Sequence, residues 1–269
     1  MFKYDKHIPN LLTLLNMFSG IMALLHAVLG QMELVLMFVC LGIFFDFFDG
    51  YVARMLNVSS NLGKELDSLA DVITSGMVPG IVMFHLLFWS QAESNYSMSF
   101  FHFYLRNTTS ENGFDIVPTL PMLGFIITFA SAYRLARFNI DKRQQKYFIG
   151  LPTPANALLI CSLPLIWDSN PTNWIGFALG NSWVLLGITF LSAYLLNSSI
   201  RLFSLKKDTN GFKYNWARYV FVAVSLVLII ALKYLAVPII FVLYFLSSIF
   251  LKSQLGLLNI LENLDLKEK

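Results

Sequence analysis

Apolar residues in this chain run in long blocks instead of alternating with polar ones. A helix needs roughly 20 such residues to cross the hydrocarbon of a bilayer. Candidate stretches lie at about 11–29, 33–55, 66–90, 118–138, 154–168, 181–203, 215–234 and 237–253. The fifth is short, and the last two are separated by little more than Val237 and Pro238. Helices are the economical solution, because open strands would leave backbone N–H and C=O groups unpaired in lipid. The pattern therefore predicts an all-α integral membrane protein, read as a single polytopic domain over 1–269. The first run lacks a small-residue cleavage site and is too long for a signal h-region, so it reads as a retained span.

Composition agrees. Of 269 residues, 57% are hydrophobic and 13% charged, against about 25% charged in soluble domains. With the N-terminus on the cytoplasmic side, 17 of the 19 lysines and arginines fall in inner segments, leaving Arg106 and Lys233 outside. That asymmetry sets the orientation. The net charge of +3 thus reports topology and anionic headgroups, and nucleic acid is not an expected partner. Cys40 and Cys161 sit in apolar runs and read as small hydrophobes. An outer insertion at about 91–117 mixes aromatic and polar residues, includes the glycosylation-like Asn95 and Asn107, and receives no function. His7, His26, His85 and His102 are scattered and read as structural or interfacial.

Ionisable residues inside a membrane are costly and mark functional sites, and here they cluster. Asp46 and Asp49 are three apart near the cytoplasmic end of the second run, and Asp67 and Asp71 are four apart at the start of the third. Both spacings place the paired side chains on one helix face. A short connection makes the two helices antiparallel neighbours, so the pairs can face each other at one depth. Four carboxylates would repel, and divalent cations supply the missing charge. Oxygen ligands without cysteine or an adjacent histidine favour magnesium or manganese, with calcium admissible and zinc disfavoured. The bland alternative is four solvated charges at two helix ends. A cation pathway is a rival of another class, but the acids lie at one end and the spans beyond them are apolar.

Gly50 and Ala53 remove bulk beside Asp49, and Gly63 does so one turn before Asp67. Arg54 offers a cation for phosphate, or serves as a juxtamembrane anchor. Glu65, next to Lys64, reads as a solvated charge.

Taken whole, the spacing is DxxDGxxAR, eight residues, then GxxxDxxxD, formed by Asp46, Asp49, Gly50, Ala53, Arg54, Gly63, Asp67 and Asp71. It resembles the signature of the CDP-alcohol phosphatidyltransferases. The resemblance implies a core of six transmembrane helices (about 8–205 here), with the helices at about 215–253 as additions, and commonly a homodimer. It implies Mg2+ or Mn2+ at Asp46, Asp49 and Asp67, with Asp71 as the general base that also touches metal. Gly50, Ala53, Arg54 and Gly63 would line the nucleotide and diphosphate site. Asn10, Thr13 and Asn16 on the first span are weaker candidates for that site, explained equally by hydrogen bonding between helices.

The runs IPNLLTLLN, GKELDSLAD, AYRLARFN and YFIGLPTPA look like the phosphatidylserine synthase branch. That branch implies CDP-diacylglycerol and L-serine as substrates. Serine carries a carboxylate, which makes Arg134 and Arg137, with Asn139, the candidate acceptor site. Positive-inside anchoring is the equal alternative for the arginines. The loop Gly150 to Pro154 is a candidate closure of the pocket. Glycerol 3-phosphate or an inositol phosphate remains as a rival acceptor, with Lys142 and Arg143 as added cations.

Overall fold

In the computed structural model, residues 7–58, 60–91, 120–140, 148–202 and 212–248 are described. The first run is helix α1, His7–Val28, and the second is α2, Met32–Met55. Gly30 turns the chain between them with φ +76°. Its N–H bonds the Ala27 carbonyl at 2.9 Å and the Gln31 N–H reaches back to His26 at 2.9 Å, a glycine-terminated helix end that satisfies two orphan carbonyls. The second connection works alike. Asn57 takes φ +53°, its N–H bonds Arg54 at 3.2 Å, and the Val58 N–H bonds Ala53 at 3.0 Å. Ser60 then caps the third helix by accepting the Gly63 N–H at 2.9 Å. These two tight turns return the chain twice, and α1 packs against both α2 and the third helix.

The third span is continuous over Asn61–Gln91. It comprises α3, Asn61–Asp71, a π-helical turn, Val72–Met77, and α4, Val78–Gln91. It begins five residues before the predicted apolar run at 66 because its first turns are polar and fixed by the Ser60 cap. Pro79 lacks an N–H and so removes one donor from the ladder just past the π turn. Separately, the Gly76 carbonyl within that turn accepts from Thr128 Oγ1 at 3.0 Å. This span is the most buried of the long helices, whereas α1 and α2 turn Leu11, Phe18, Phe44 and Phe47 outward, as lipid-facing helices do.

Close approach at the seam depends on small residues. A Cβ added at Gly42 would lie 2.6 Å from Thr74 Cγ2 and 3.0 Å from Asn16 Oδ1. Gly42→Ala is therefore expected to destabilise the detergent-solubilised protein by about 1–3 kcal/mol, read as a lowered thermal midpoint.

A 3-10 turn, Pro121–Phe125, leads into α5, Ile126–Ile140, followed by α6, Thr153–Ser169, the short α7, Trp174–Leu179, and α8, Ser182–Asn197. The sixth run was expected to continue to 203, but the helix stops at Asn197. The amide of Asn197 donates to the carbonyls of Ala130 at 3.0 Å and Ala193 at 3.3 Å. Beyond it the backbone of Arg201–Leu202 pairs antiparallel with Phe148–Ile149, a two-residue ladder (β1 and β2) that no apolar periodicity announces.

The chain divides into two compact units, one of Met1–Asp141 with Pro152–Asn197, the other of Lys142–Leu151 with Ser198–Lys269. The first holds the six helices expected for the core, plus the short α7. The second holds the ladder and a helical hairpin, α9, Phe212–Leu232, a 3-10 turn at Lys233–Leu235, and α10, residues 236–248. The Phe221 and Tyr244 ring centroids are 5.9 Å apart, although 23 residues of straight helix would separate them by about 35 Å. The chain therefore doubles back at Lys233, whose φ is +50°, and the seventh and eighth runs are separate helices. The outer segment at about 91–117, with Asn95, His102, Arg106 and Asn107, lies outside the described residues, as do Lys142, Arg143 and Lys146.

Candidate active site

The two turns around Asn57 and Ser60 bring the inner ends of α2 and α3 together, and the aspartates converge as their spacing requires. Carboxylate oxygens of Asp46, Asp49 and Asp67 all lie within 4.8 Å of one another. Asp46 and Asp67 approach within hydrogen-bonding reach across the helix pair. Asp49 is buried, and the others are partly so. Asp71 stands one turn along α3, immediately before the π turn.

Helix α1 supplies two partners. Thr13 Oγ1 lies 2.5 Å from Asp49 Oδ2 and 3.1 Å from the Pro9 carbonyl. Its single proton goes to the carboxylate, the nearer and charged acceptor. Asn16 Nδ2 donates to Asp71 Oδ1 at 3.3 Å. Asn10 lies farther toward the helix start, against Gly63, where an added Cβ would be 3.1 Å from Asn10 Oδ1. At Gly50, by contrast, an added Cβ would meet nothing within 4 Å. Glycine there leaves open space beside Asp49 and serves no packing contact among the described residues. Ala53 is half-buried one turn on, and Arg54 is exposed at the end of α2.

The two arginines of α5 differ. Arg134 is buried and interacts electrostatically with Asp71, and its Nη1 donates to Thr153 Oγ1 at 3.4 Å at the start of α6. Its Nε is buried without a hydrogen-bond partner. Arg137 is exposed one turn beyond. Asn139 Nδ2 donates to Ser68 Oγ at 2.9 Å, which ties the end of α5 to α3 beside Asp67. Of the candidate closing loop, Pro152 is the N-cap residue of α6 and Thr153 its buried first residue. Sequence reasoning did not single out Thr153 as the Arg134 partner. Its position in a run of loop-forming residues gave no signal for it.

The donor set fits a hard divalent cation. Three carboxylates from two helices meet with no thiolate or imidazole among them, and Asp67 Oδ1 is buried without a hydrogen-bond partner. Burying such a group unpaired is costly, and a cation between the carboxylates would offset both this cost and their mutual repulsion.

The sequence profile of the CDP-alcohol phosphatidyltransferases matches residues 6–195, which takes in Asp46, Asp49, Asp67 and Asp71 and all but the last two residues of the helices of the first unit. This chain belongs to the CDP-alcohol phosphatidyltransferase family. It is accordingly an integral membrane protein and a transferase of phospholipid biosynthesis, and divalent-metal dependence is general in the family. Among similar proteins, the CDP-diacylglycerol–serine O-phosphatidyltransferase of Bacillus subtilis (strain 168) is 29% identical over 206 residues, 75% of this chain and 92% of that one. The CDP-diacylglycerol–serine O-phosphatidyltransferase of Helicobacter pylori (strain J99) is 30% identical over 224 residues, covering 82% of this chain and 80% of the relative. The archaetidylserine synthase of Methanothermobacter thermautotrophicus is 30% identical over 160 residues, 59% of this chain and 58% of that one.

Proposed function

We propose that this phosphatidyltransferase moves the phosphatidyl group of CDP-diacylglycerol to the hydroxyl of L-serine, giving phosphatidylserine and CMP. The observation that carries the reading is the convergence of the Asp46, Asp49 and Asp67 oxygens within 4.8 Å, on a chain whose similar proteins are named for serine as acceptor. Asp46, Asp49 and Asp67 would hold Mg2+ or Mn2+, with Asp71 in reach of the same site. Such an ion supplies neutralisation of the diphosphate and of the charge that develops on the departing phosphate.

The residues carry the remaining work. Asp71 accepts the proton of the serine hydroxyl as that oxygen bonds to the phosphorus on the lipid side of the diphosphate. The bond from this phosphorus to the bridging oxygen breaks, and CMP leaves with the electron pair. Asn16 holds one oxygen of Asp71. Arg134 pairs the serine carboxylate, a role favoured over Arg137 by its interaction with Asp71 and its unpartnered Nε. Gly50 and Ala53 leave room for the nucleotide, with Arg54 at the rim as a phosphate contact and Gly63 and Asn10 bordering the site. Positioning and electrostatics, without a covalent enzyme intermediate, lower the barrier.

The bias of basic residues supports a site at the cytoplasmic face, of a prokaryotic inner membrane in this reading. Homodimeric assembly is proposed from the family resemblance, as is a single domain over 1–269 with its catalytic core at about 8–205.

The test is acceptor choice. Purified protein in mixed micelles with CDP-diacylglycerol and Mn2+ is expected to release CMP with L-serine and to give little with glycerol 3-phosphate or an inositol phosphate. CMP release with a phosphorylated acceptor and none with serine would transfer the assignment to that acceptor.

A further inference from the structure

We infer that Thr13 and Asn16 are positioning residues that fix the carboxylates of Asp49 and Asp71 from outside the site, and are not contacts for the nucleotide. The inference rests on the metal reading of the aspartates and extends it to a helix that carries none of them.

Burial decides between the two roles. Thr13 is 3% exposed and Asn16 is fully buried, so neither presents surface to a ligand of nucleotide size. Each already directs a donor at a carboxylate of the site. The Thr13 hydroxyl has one proton, and Asp49 Oδ2 at 2.5 Å takes it. Asn16 Nδ2 faces Asp71 Oδ1, and an ionised carboxylate only accepts, so the amide is held nitrogen-inward.

The scaffold fixes that orientation. A Cβ at Gly42 would come within 3.0 Å of Asn16 Oδ1, so α2 carries glycine where the amide oxygen needs room. Thr74 Oγ1 donates to the backbone carbonyl of Asn16 at 3.1 Å, which pins α1 to the π turn that directly follows Asp71. Thr13 and Asn16 are one helical turn apart, so a single face of α1 reaches one carboxylate on α2 and one on α3. Outer partners that orient ligating carboxylates typically change metal affinity or activity by about 10–100-fold when removed.

The experiment measures Mn2+ binding to the purified full-length protein by electron paramagnetic resonance of free Mn2+, without nucleotide, beside steady-state kinetics. Thr13→Val keeps the shape of the side chain and removes the hydroxyl. It is expected to raise the Mn2+ dissociation constant by about 10–100-fold, while KM for CDP-diacylglycerol at saturating Mn2+ stays within about twofold. Thr13→Ser, which restores the hydroxyl, is expected to bind Mn2+ nearly as the parent does. Asn16→Leu is expected to lower kcat by about tenfold or more, with little change in Mn2+ affinity.

If Thr13→Val binds Mn2+ as tightly as the parent and raises KM for CDP-diacylglycerol instead, the positioning role is overturned and the nucleotide role stands. If the parent itself binds no Mn2+, it is the metal reading of the aspartates that fails, and the inference falls with it. Should Thr13→Val not fold, Thr13→Ser against Thr13→Ala gives the same comparison.

Discussion

Asp71→Asn is expected to lower phosphatidyl transfer to serine by about a thousandfold in kcat, within the range of about 10²–10⁴ for loss of a general base. Asparagine keeps the size and one oxygen of aspartate but cannot accept the serine proton. Asp71 is the aspartate outside the group of three whose oxygens converge, so Mn2+ binding is expected to survive the change with a modest loss. Asp67→Asn is the contrast. Its oxygen belongs to the converging set, and its replacement should abolish Mn2+ binding together with turnover. Comparing the two variants in the same Mn2+ titration separates base from ligand. Equal loss of metal from both would place Asp71 among the ligands and leave the base unassigned.

That division between Asp71 and the others follows from features of unequal legibility in the sequence. The helical spacing of Asp46 with Asp49, and of Asp67 with Asp71, was enough to predict two facing pairs, because period and antiparallel connection leave little choice. The turns that enforce it were not read. Asn57 in the left-handed region and the Ser60 cap occupy a stretch with no apolar period, where backbone hydrogen bonds decide the path. The π turn at Val72–Met77 was equally silent, since apolar residues fit an α or a π turn alike. Its mark was chemical, a buried Thr-Ser-Gly run just ahead of Pro79 inside a membrane helix.

Polar residues on α1 show another limit. Thr13 and Asn16 stood out because polar side chains in an apolar helix need partners, yet nothing in the sequence names the partner. The structure does so: Thr13 donates to Asp49 on α2 and Asn16 to Asp71 on α3. The early stop of α8 has the same origin. Asn197 ends the helix by bonding to Ala130 on α5, a tertiary contact, whereas the apolar pattern alone continued several residues past it.

The last prediction concerns the two arginines, which the sequence could not separate. Arg134 and Arg137 are one turn apart on α5, and both read equally as anchors or ligands. What distinguishes them is where the neighbouring helix begins. Thr153, the first residue of α6, stands level with Arg134 and accepts from it, so Arg134 is enclosed beside Asp71, while Arg137 lies beyond and stays exposed. A buried guanidinium with an unpartnered Nε has a donor left for an incoming carboxylate, and such charge-assisted bonds are the stronger class.

Arg134→Met is therefore expected to raise KM for serine by about 100-fold, equivalent to roughly 2.7 kcal/mol. Arg137→Met should change it by less than about twofold, as surface charges generally contribute little. Loss of a charge beside Asp71 will also disturb the base, so kcat alone does not isolate recognition. Ethanolamine, which is serine without its carboxylate, does. If Arg134 binds the carboxylate, Arg134→Met lowers kcat/KM for serine far more than for ethanolamine, and the preference between the two acceptors collapses. An equal fall for both would assign Arg134 to holding Asp71 and leave the serine carboxylate to another donor.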